Sequence, residues 1–348
     1  MYISIPSVLR IKPNAIYKLG KYIRKMGIEN VALFYGEGIE GLAEKVVNIS
    51  FDSSEIKAVV KDVIKESEIR DVMERYYQMP YNVQAVVGIG GGKVIDCCKY
   101  IAHVAKLPII SVPTSISNDG FSSSVSSLNI DGKKKSFKSK IPDAVIVDTE
   151  IVKNSPKKFI FSGVGDLISN ITAIYDWKLA AKKGFESVND FAVLISNNAV
   201  ENMINYSNKN IDDIEFIRLI SGSLVMNGIA MEISGSSRPS SGSEHLISHA
   251  YDKSATVPSL HGIQVGVATY CISYIQNNKF ELIKNALTDV GFFDFVSQNK
   301  LEKDAFLVAV DRATSMKENF YTILSEKGNI EKLKEFVEKD EICTMLFK

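Results

Sequence analysis

The sequence is short of several things at once. Among 348 residues there are four cysteines, one tryptophan, four histidines and nine prolines. The cysteines are Cys97, Cys98, Cys271 and Cys343. No spacing among them suits a Cys-based zinc site, and an adjacent pair makes a poor disulfide framework. That pattern leans towards reduced thiols and a cytoplasmic protein. Net charge is also missing. The chain has 41 Lys and Arg residues against 41 Asp and Glu, a formal charge of +0. No overall field draws such a chain to nucleic acid or to an anionic membrane, so neither is expected as a partner. Long apolar runs are missing too. No stretch reaches eighteen apolar residues, and the first six residues lack the charged start and apolar run of a leader. Neither a membrane span nor a signal peptide is expected. What remains, 45% hydrophobic and 24% charged residues, is ordinary globular composition at a length that suits two domains.

The first half alternates apolar runs with helical spacing. Val31–Tyr35 is a short apolar run closed by Gly36 and reads as a buried strand. Ile39–Val47 has the spacing of a helix, Ile56–Val60 of a strand or a helix start, and Ser67–Tyr77 of a charged surface helix. The sharpest stretch is Gln84–Lys93. There an apolar run meets Gly88, Gly90, Gly91 and Gly92, and helical spacing follows over Val94–Ala105. A strand, glycine loop and helix in that order cradle phosphate. Glycine lets the backbone come close, and the helix N-terminus supplies N–H donors. Lys93 could add a point charge. The spacing is neither G-x-G-x-x-G nor a Walker A loop, and a tight turn that only packs a helix on a sheet would use glycine as well. Leu107–Val112 reads as the next strand, with the polar loop Pro113–Gly120 after it, where open α/β sheets bind ligands. The one acid of that loop, Asp119, is either a ligand contact or part of an Asx-type turn before Gly120. Asp131-Gly132 signals a hairpin, and Ala144–Asp148 reads as the last strand of this half. Glu37, just after the first of these strands, would favour a free ribose hydroxyl and hence NAD over NADP.

Proline use then changes. From Pro156 onward only Pro156, Pro239 and Pro258 remain, and the apolar spacing is helical. The expected division is a nucleotide-binding α/β domain over 1–150 and a helical domain over 151–348. Ser162–Asn170 reads as a helix opening. Its Asp166 is either a first-turn acid that complements the helix dipole or a carboxylate that joins His245 and His261. Three of the four histidines, His245, His249 and His261, fall within seventeen residues. His245 and His249 are four apart and share a helix face. Neutral imidazole is a common ligand for zinc and iron. The Gly/Ser-rich run just before them leaves backbone N–H groups to meet an anion. These features read as a metal site beside an anion pocket, or equally as three ordinary helix histidines, since two His at i, i+4 is a loose pattern. Three protein ligands with an open position would describe a catalytic metal.

Several stretches in one order then carry a resemblance: Gly88–Asp96, Pro113–Gly120, Gly165–Asn170, Asp176-Trp177, Ser236–His245, Ser248–Ala250 and His261–Gly266. With them the chain resembles the glycerol-1-phosphate dehydrogenases of the iron-containing alcohol dehydrogenase and dehydroquinate synthase superfamily. The triple-glycine loop marks only the superfamily. The Arg-Pro…Gly-Ser-Glu-His…Ser-His-Ala run is narrower and argues against plain glycerol dehydrogenase. The resemblance implies a dehydroquinate synthase-like fold, an α/β Rossmann-like N-terminal domain plus an all-α C-terminal domain. It implies that Asp166, His245 and His261 hold one divalent metal, zinc most often, with iron and nickel as alternatives. Asp119, Asp166 and His249 would contact substrate. Gly90, Gly91, Gly92, Lys93, Val94, Thr114, Ser115, Ser117 and Ser123 would line NAD or NADP. The implied reaction interconverts dihydroxyacetone phosphate and sn-glycerol 1-phosphate for phospholipid biosynthesis, in a homo-oligomer. His249 or a metal-linked water would be the proton donor, with Asp119 as orienter. Arg238 is a candidate for the substrate phosphate, or for a packing salt bridge. Asn118 and Ile263 depart from the family pattern, which often has His and Glu there. The rival readings are glycerol or another polyol dehydrogenase of the superfamily and, more remotely, a dehydroquinate synthase-like lyase.

Overall fold

The apolar runs of the first half pair side by side as one parallel sheet. In chain order the strands are β1 (Val8–Lys12), β2 (Asn30–Gly36), β3 (Lys57–Ile64), β4 (Ala85–Gly90), β5 (Ile109–Pro113), β6 (Val125–Ile130), β7 (Lys133–Lys138) and β8 (Ala144–Asp148). The computed structural model describes residues 3–348, so Met1 and Tyr2, part of the segment read above for a leader, lie outside the described residues. Six strands form the sheet in the order β1-β8-β5-β4-β2-β3, every pair parallel. Parallel neighbours need crossover connections, and helices such as Ile69–Gln78 and Gly92–Ala105 supply them. Every residue of β4, β5 and β8 is buried, as a sheet covered on both faces requires. Side chains alternate between two cores. Val31, Leu33, Val87 and Ile89 enter one, and Ala32, Phe34 and Val86 enter the other.

The hairpin β6–β7 turns at Asp131 and Gly132, with φ of 50° and 73°, the left-handed pair that a two-residue turn needs. The stretch left open at Ile56–Val60 is a strand, β3. The run Ile39–Val47 is shorter as an α-helix, Glu40–Lys45, and continues as a π-helical stretch, Val46–Phe51. Strand β1 gave no sequence signal. It is an edge strand with Leu9 and Arg10 exposed, so its apolar alternation is broken.

The chain divides into two compact units, Met1–Ser155 and Pro156–Lys348. The first runs five residues past position 150, because Thr149–Lys153 is a short helix capped by the last residue of β8. Asp148 accepts from the Glu150 N–H at 3.1 Å and also from the N–H groups of Asn14 and Ile16.

One buried charge organises the loop side of this unit. Lys99, on the helix Gly92–Ala105, is fully buried. Its ammonium donates to the carbonyls of Gly120 at 2.6 Å, Ser123 at 3.3 Å and Val125, and it pairs with Asp96 at 2.9 Å. A buried ammonium is tolerable only when its donors are used. Lys99 thus fastens the segment that holds Asp119 and Ser123 to the helix that starts at the glycine loop.

The second unit is built from helices, chiefly Lys158–Ile168, Asn170–Lys182, Asp190–Asn205, Ile214–Ser234, Ser243–Ser254 and His261–Gln276. Ile214–Ser234 is long and apolar enough to cross a membrane by length and composition, with a mean hydropathy of 1.4. Its Phe216, Ile217, Ile220 and Leu224 are fully buried within the protein. That is how the core helix of a helical unit behaves.

Replacing Lys99 with Met leaves Asp96 and three carbonyls short of a buried donor. The expected cost is about 3 kcal/mol in urea unfolding. A Met at the exposed Lys45 should stay within about 0.5 kcal/mol of wild type in the same measurement.

Candidate active site

The glycine loop separates into two kinds of glycine. A Cβ on Gly88 would lie 2.8 Å from Cys98 Sγ, and one on Gly90 would lie 2.7 Å from Val94. Those two are demanded by the packing of the helix Gly92–Ala105 on β4. A Cβ on Gly91 would come no nearer than 3.6 Å, to Ser115 Oγ, and one on Gly92 would meet nothing within 4 Å. Internal packing gives no reason for them, whereas a phosphate lying on the helix N-terminus would. That helix begins without a side-chain cap. Thr114 donates its N–H to the Gly90 carbonyl at 3.0 Å, which sets the loop Thr114–Ser117 beside the glycines. Ser123 is buried nearby under Lys99. Lys93 turns away, and its ammonium donates to the Lys65 carbonyl at 2.6 Å. The Asx-type turn before Gly120 is made by Asn118, whose Oδ1 accepts from the Gly120 N–H at 2.9 Å, and Asp119 opens a short 3-10 turn.

In the helical unit the site begins with a contact between backbones. The helices Lys158–Ile168 and His261–Gln276 touch at Gly165 and Gly262. A Cβ on either would run into a carbonyl oxygen of the other helix. The Gly262 N–H also donates to Ser162 Oγ at 3.1 Å. Asp166 follows Gly165 and His261 precedes Gly262, so this approach sets the two side chains together. Asp166 is not in a first turn. Its helix starts at Lys158, carried by Phe159-Ile160-Phe161, and Asp166 lies in the last turn, where the helix dipole disfavours a carboxylate. What faces it is imidazole. Asp166 Oδ1 is 3.6 Å from His245 Nε2 and 3.7 Å from His261 Nε2.

The ligand atoms of Asp166, His245 and His261 all lie within 4.8 Å of one another. A tetrahedral ion with bonds of about 2.0–2.2 Å holds neighbouring donors about 3.3–3.6 Å apart. The three side chains therefore fit a divalent ion with little movement. Two neutral imidazoles and one carboxylate also form a donor set suited to zinc, iron or nickel. The i, i+4 pair contributes only one member of the cluster. His249 is exposed, with its ring 6.5 Å from that of His245 and stacked 5.8 Å from that of His261.

A second layer of polar groups holds the first. Glu244 is fully buried; its Oε1 lies 2.9 Å from His245 Nδ1 and accepts from the Gly242 N–H, and its Oε2 accepts from Thr172 Oγ1. Burial alone would lower the pKa of His245. Hydrogen bonds to Asp166 and Glu244 more than reverse this and push it up to about 10. Asp176, also fully buried, accepts from Ser243 N and Oγ, Ile323 N and Gln276 Nε2. Burial, and then the charge of Glu244, raise its pKa to about 7. The sequence reading gave no role to Glu244, Asp176, Ser248 or Gln264. The available signal was a strongly polar residue inside a buried helical stretch.

Four backbone N–H groups of the Ser/Gly run before His245 are used inside the protein: Ser236 donates to Ser234 Oγ, Arg238 to Ser236 Oγ, Gly242 to Glu244 Oε1 and Ser243 to Asp176 Oδ2. Arg238 is buried, paired with Glu186, donating to the Tyr321 carbonyl at 2.9 Å and lying 3.5 Å over the Phe320 ring. It is the packing salt bridge of the two readings.

The chain is similar in sequence and fold to known proteins. The profile of the iron-containing alcohol dehydrogenases matches residues 10–156. The glycerol-1-phosphate dehydrogenase [NAD(P)+] of Pyrococcus abyssi is 33% identical over 93% of this chain and 94% of its own length. That of Methanococcus maripaludis is 35% identical over 98% and 99%. The chain belongs to the glycerol-1-phosphate dehydrogenase family. Its fold is that of the iron-containing alcohol dehydrogenases. The crystal structure of glycerol dehydrogenase from Schizosaccharomyces pombe covers 99% of this chain and 90% of its own, with a TM-score of 0.76 at 19% identity.

Two tests follow for this family member. A Gly262→Ala substitution forces the two helices apart and should abolish stoichiometric zinc binding, read by elemental analysis after gel filtration. The raised pKa of His245 means that a proton competes for the site at every pH below about 10. Apparent zinc affinity, measured by chelator competition, should then rise by about tenfold per pH unit from pH 6 to 8.5.

Proposed function

We propose that this protein catalyses the NAD(P)-dependent interconversion of dihydroxyacetone phosphate and sn-glycerol 1-phosphate, with Asp166, His245 and His261 holding a zinc ion. The observation that carries the reading is the convergence of those three side chains in a chain alike over nearly its whole length to glycerol-1-phosphate dehydrogenases. Bound there, the ion supplies a Lewis acid for the substrate carbonyl. The chain's own residues do the rest. His249 is exposed beside His261 and is assigned to proton transfer at the substrate oxygen, and Asp119 keeps the substrate role that the resemblance implies. Asp166, beside its ligand role, is assigned with them to substrate contact.

Gly90, Gly91, Gly92, Lys93 and Val94 are assigned to the nucleotide pyrophosphate through their backbone, and Thr114, Ser115, Ser117 and Ser123 to the rest of the nucleotide. Lys93 acts by its main chain, since its ammonium is held by Lys65. Glu37 follows β2, which pairs with β4 so that Tyr35 lies opposite Ile89. That register places the acid at the glycine-loop end of the sheet and favours NAD over NADP. The N-terminal unit is the nucleotide-binding domain and the helical unit the metal-binding one, in a cytoplasmic homo-oligomer.

The deciding experiment follows nicotinamide absorbance with zinc-loaded protein. Reduction of dihydroxyacetone phosphate should exceed that of unphosphorylated dihydroxyacetone by about 100-fold in kcat/KM. Equal rates would favour a polyol dehydrogenase, and turnover without net absorbance change a lyase. His249→Ala should lower kcat by about 100-fold while zinc stoichiometry stays at the wild-type level.

A further inference from the structure

An imidazole can bind an ion through either ring nitrogen, and the residues behind His261 decide which. Its Nδ1 lies 3.0 Å from Ser248 Oγ, and Ser248 Oγ lies 2.7 Å from Gln264 Oε1. Two oxygens that close share a hydrogen, and only the serine has one to give. The amide orientation is fixed in turn. Gln264 Nε2 donates to Asp252 Oδ1 at 2.9 Å and to the Ser259 carbonyl at 2.8 Å, both of which only accept. The serine proton is therefore spent on Gln264, and the serine oxygen accepts from His261. Nδ1 of His261 carries the hydrogen, and Nε2, 3.7 Å from Asp166, is the nitrogen left to coordinate.

Gln264 and Ser248 are both buried. Gln264 sits among Ile263, Val265, Val267 and Ala268 in a largely apolar helix, where an amide costs stability unless every polar atom is used. Here all are engaged: Nε2 holds Asp252 and the Ser259 carbonyl, and Oε1 accepts from Ser248, which faces His261. His245 is held by different means, the charged Glu244 at 2.9 Å. The two imidazoles thus have separate supports.

We infer that Gln264, acting through Ser248, is a positioning residue of the metal centre. The relay Asp252–Gln264–Ser248 locks His261 as the Nδ1–H tautomer and so sets the affinity for the ion. The inference rests on the reading of Asp166, His245 and His261 as the ligands. Orienting groups behind a metal-bound histidine typically change affinity by about 10- to 100-fold.

The test uses zinc as the probe. Protein labelled with 15N only at histidine has four imidazoles to assign. Long-range 1H–15N spectra of the zinc-loaded wild type should show His261 bound through Nε2 with hydrogen on Nδ1. Coordination through Nδ1 overturns the relay, and this readout decides even where a substitution unfolds the chain. Chelator competition should then show Ser248→Ala and Gln264→Met each binding zinc about 10- to 100-fold more weakly. The double variant should be no worse than Ser248→Ala, because Gln264 works through the serine; simple additivity would indicate two separate packing effects and overturn the coupling. Wild-type affinity in both single variants, while His245→Ala loses zinc, overturns the relay but keeps the ligand set. Full zinc stoichiometry in His245→Ala and His261→Ala alike overturns the ligand set and the relay with it.

Discussion

The helical unit depends on one contact, the approach of Gly165 to Gly262. Side chains normally keep packed helices apart, and here there are none at the crossing. Each backbone occupies the space that a methyl group on the other would fill. Gly266, one turn further on, repeats the device against Gly165 and the Phe292 ring. The residues on either side of such a crossing cannot move independently. Asp166 and His261 are those residues, so their juxtaposition is a property of the backbone before it is a property of side chains. His245 is then brought in by the helix Ser243–Ser254, whose start is fixed by Asp176 and Glu244.

Three buried carboxylates surround this point, and their partners differ. Asp176 accepts four hydrogen bonds from two backbone N–H groups, a hydroxyl and an amide. Glu244 accepts from a backbone N–H and a threonine hydroxyl as well as facing His245. Donors of that kind do not leave, so these two acids are satisfied in any state of the site. Asp166 faces two imidazoles, whose charge can change. A proton on His245 supplies the compensating positive charge in the bare protein, which is why its pKa is high. In the proposed metal-bound protein an ion would do so. The distinction between a scaffold acid and a ligand acid thus lies in whether the positive partner is exchangeable.

Much of this was legible in the sequence, for identifiable reasons. β4 and β8 are fully buried and apolar, so they read clearly; β1 lies at an edge, half exposed, and did not. Gly88 and Gly90 of β4 and the pair Asp131-Gly132 announced themselves because few other residues tolerate those positions. The Asp166, His245 and His261 grouping came through motif order, since a convergence of residues 95 positions apart leaves no local trace. Local pattern also misplaced Asp166 in a first turn. Gly163 and Gly165 looked like a helix boundary, but both lie inside the helix Lys158–Ile168, and Gly165 is small for the crossing. It suggested an anion pocket at the Ser/Gly run, where the N–H groups of Ser236, Arg238, Gly242 and Ser243 already have partners and Arg238 pairs with Glu186. Ser248 and Gln264 were invisible as functional groups because their partners lie on other turns and other helices, and Glu244 because its burial cannot be read locally.

The same distinction between internal and external demand applies to the phosphate loop. Gly88 and Gly90 are small because Cys98 and Val94 press on them, and any fold that packs a helix this tightly on β4 would need them. Gly91 and Gly92 meet no such pressure, and neither has a positive φ that would itself call for glycine. Gly91 is the N-cap of the helix, where glycine is accepted, and Gly92 opens its first turn with no internal contact that calls for glycine. Bare backbone at the uncapped start of a helix, beside the hydroxyl of Ser115, suits a ligand that must lie against it. The loop and the metal cluster therefore give the same kind of testimony from separate units. In both, the residues that the fold does not need for itself are the ones suited to meet a charge, negative at the helix start and positive between the imidazoles.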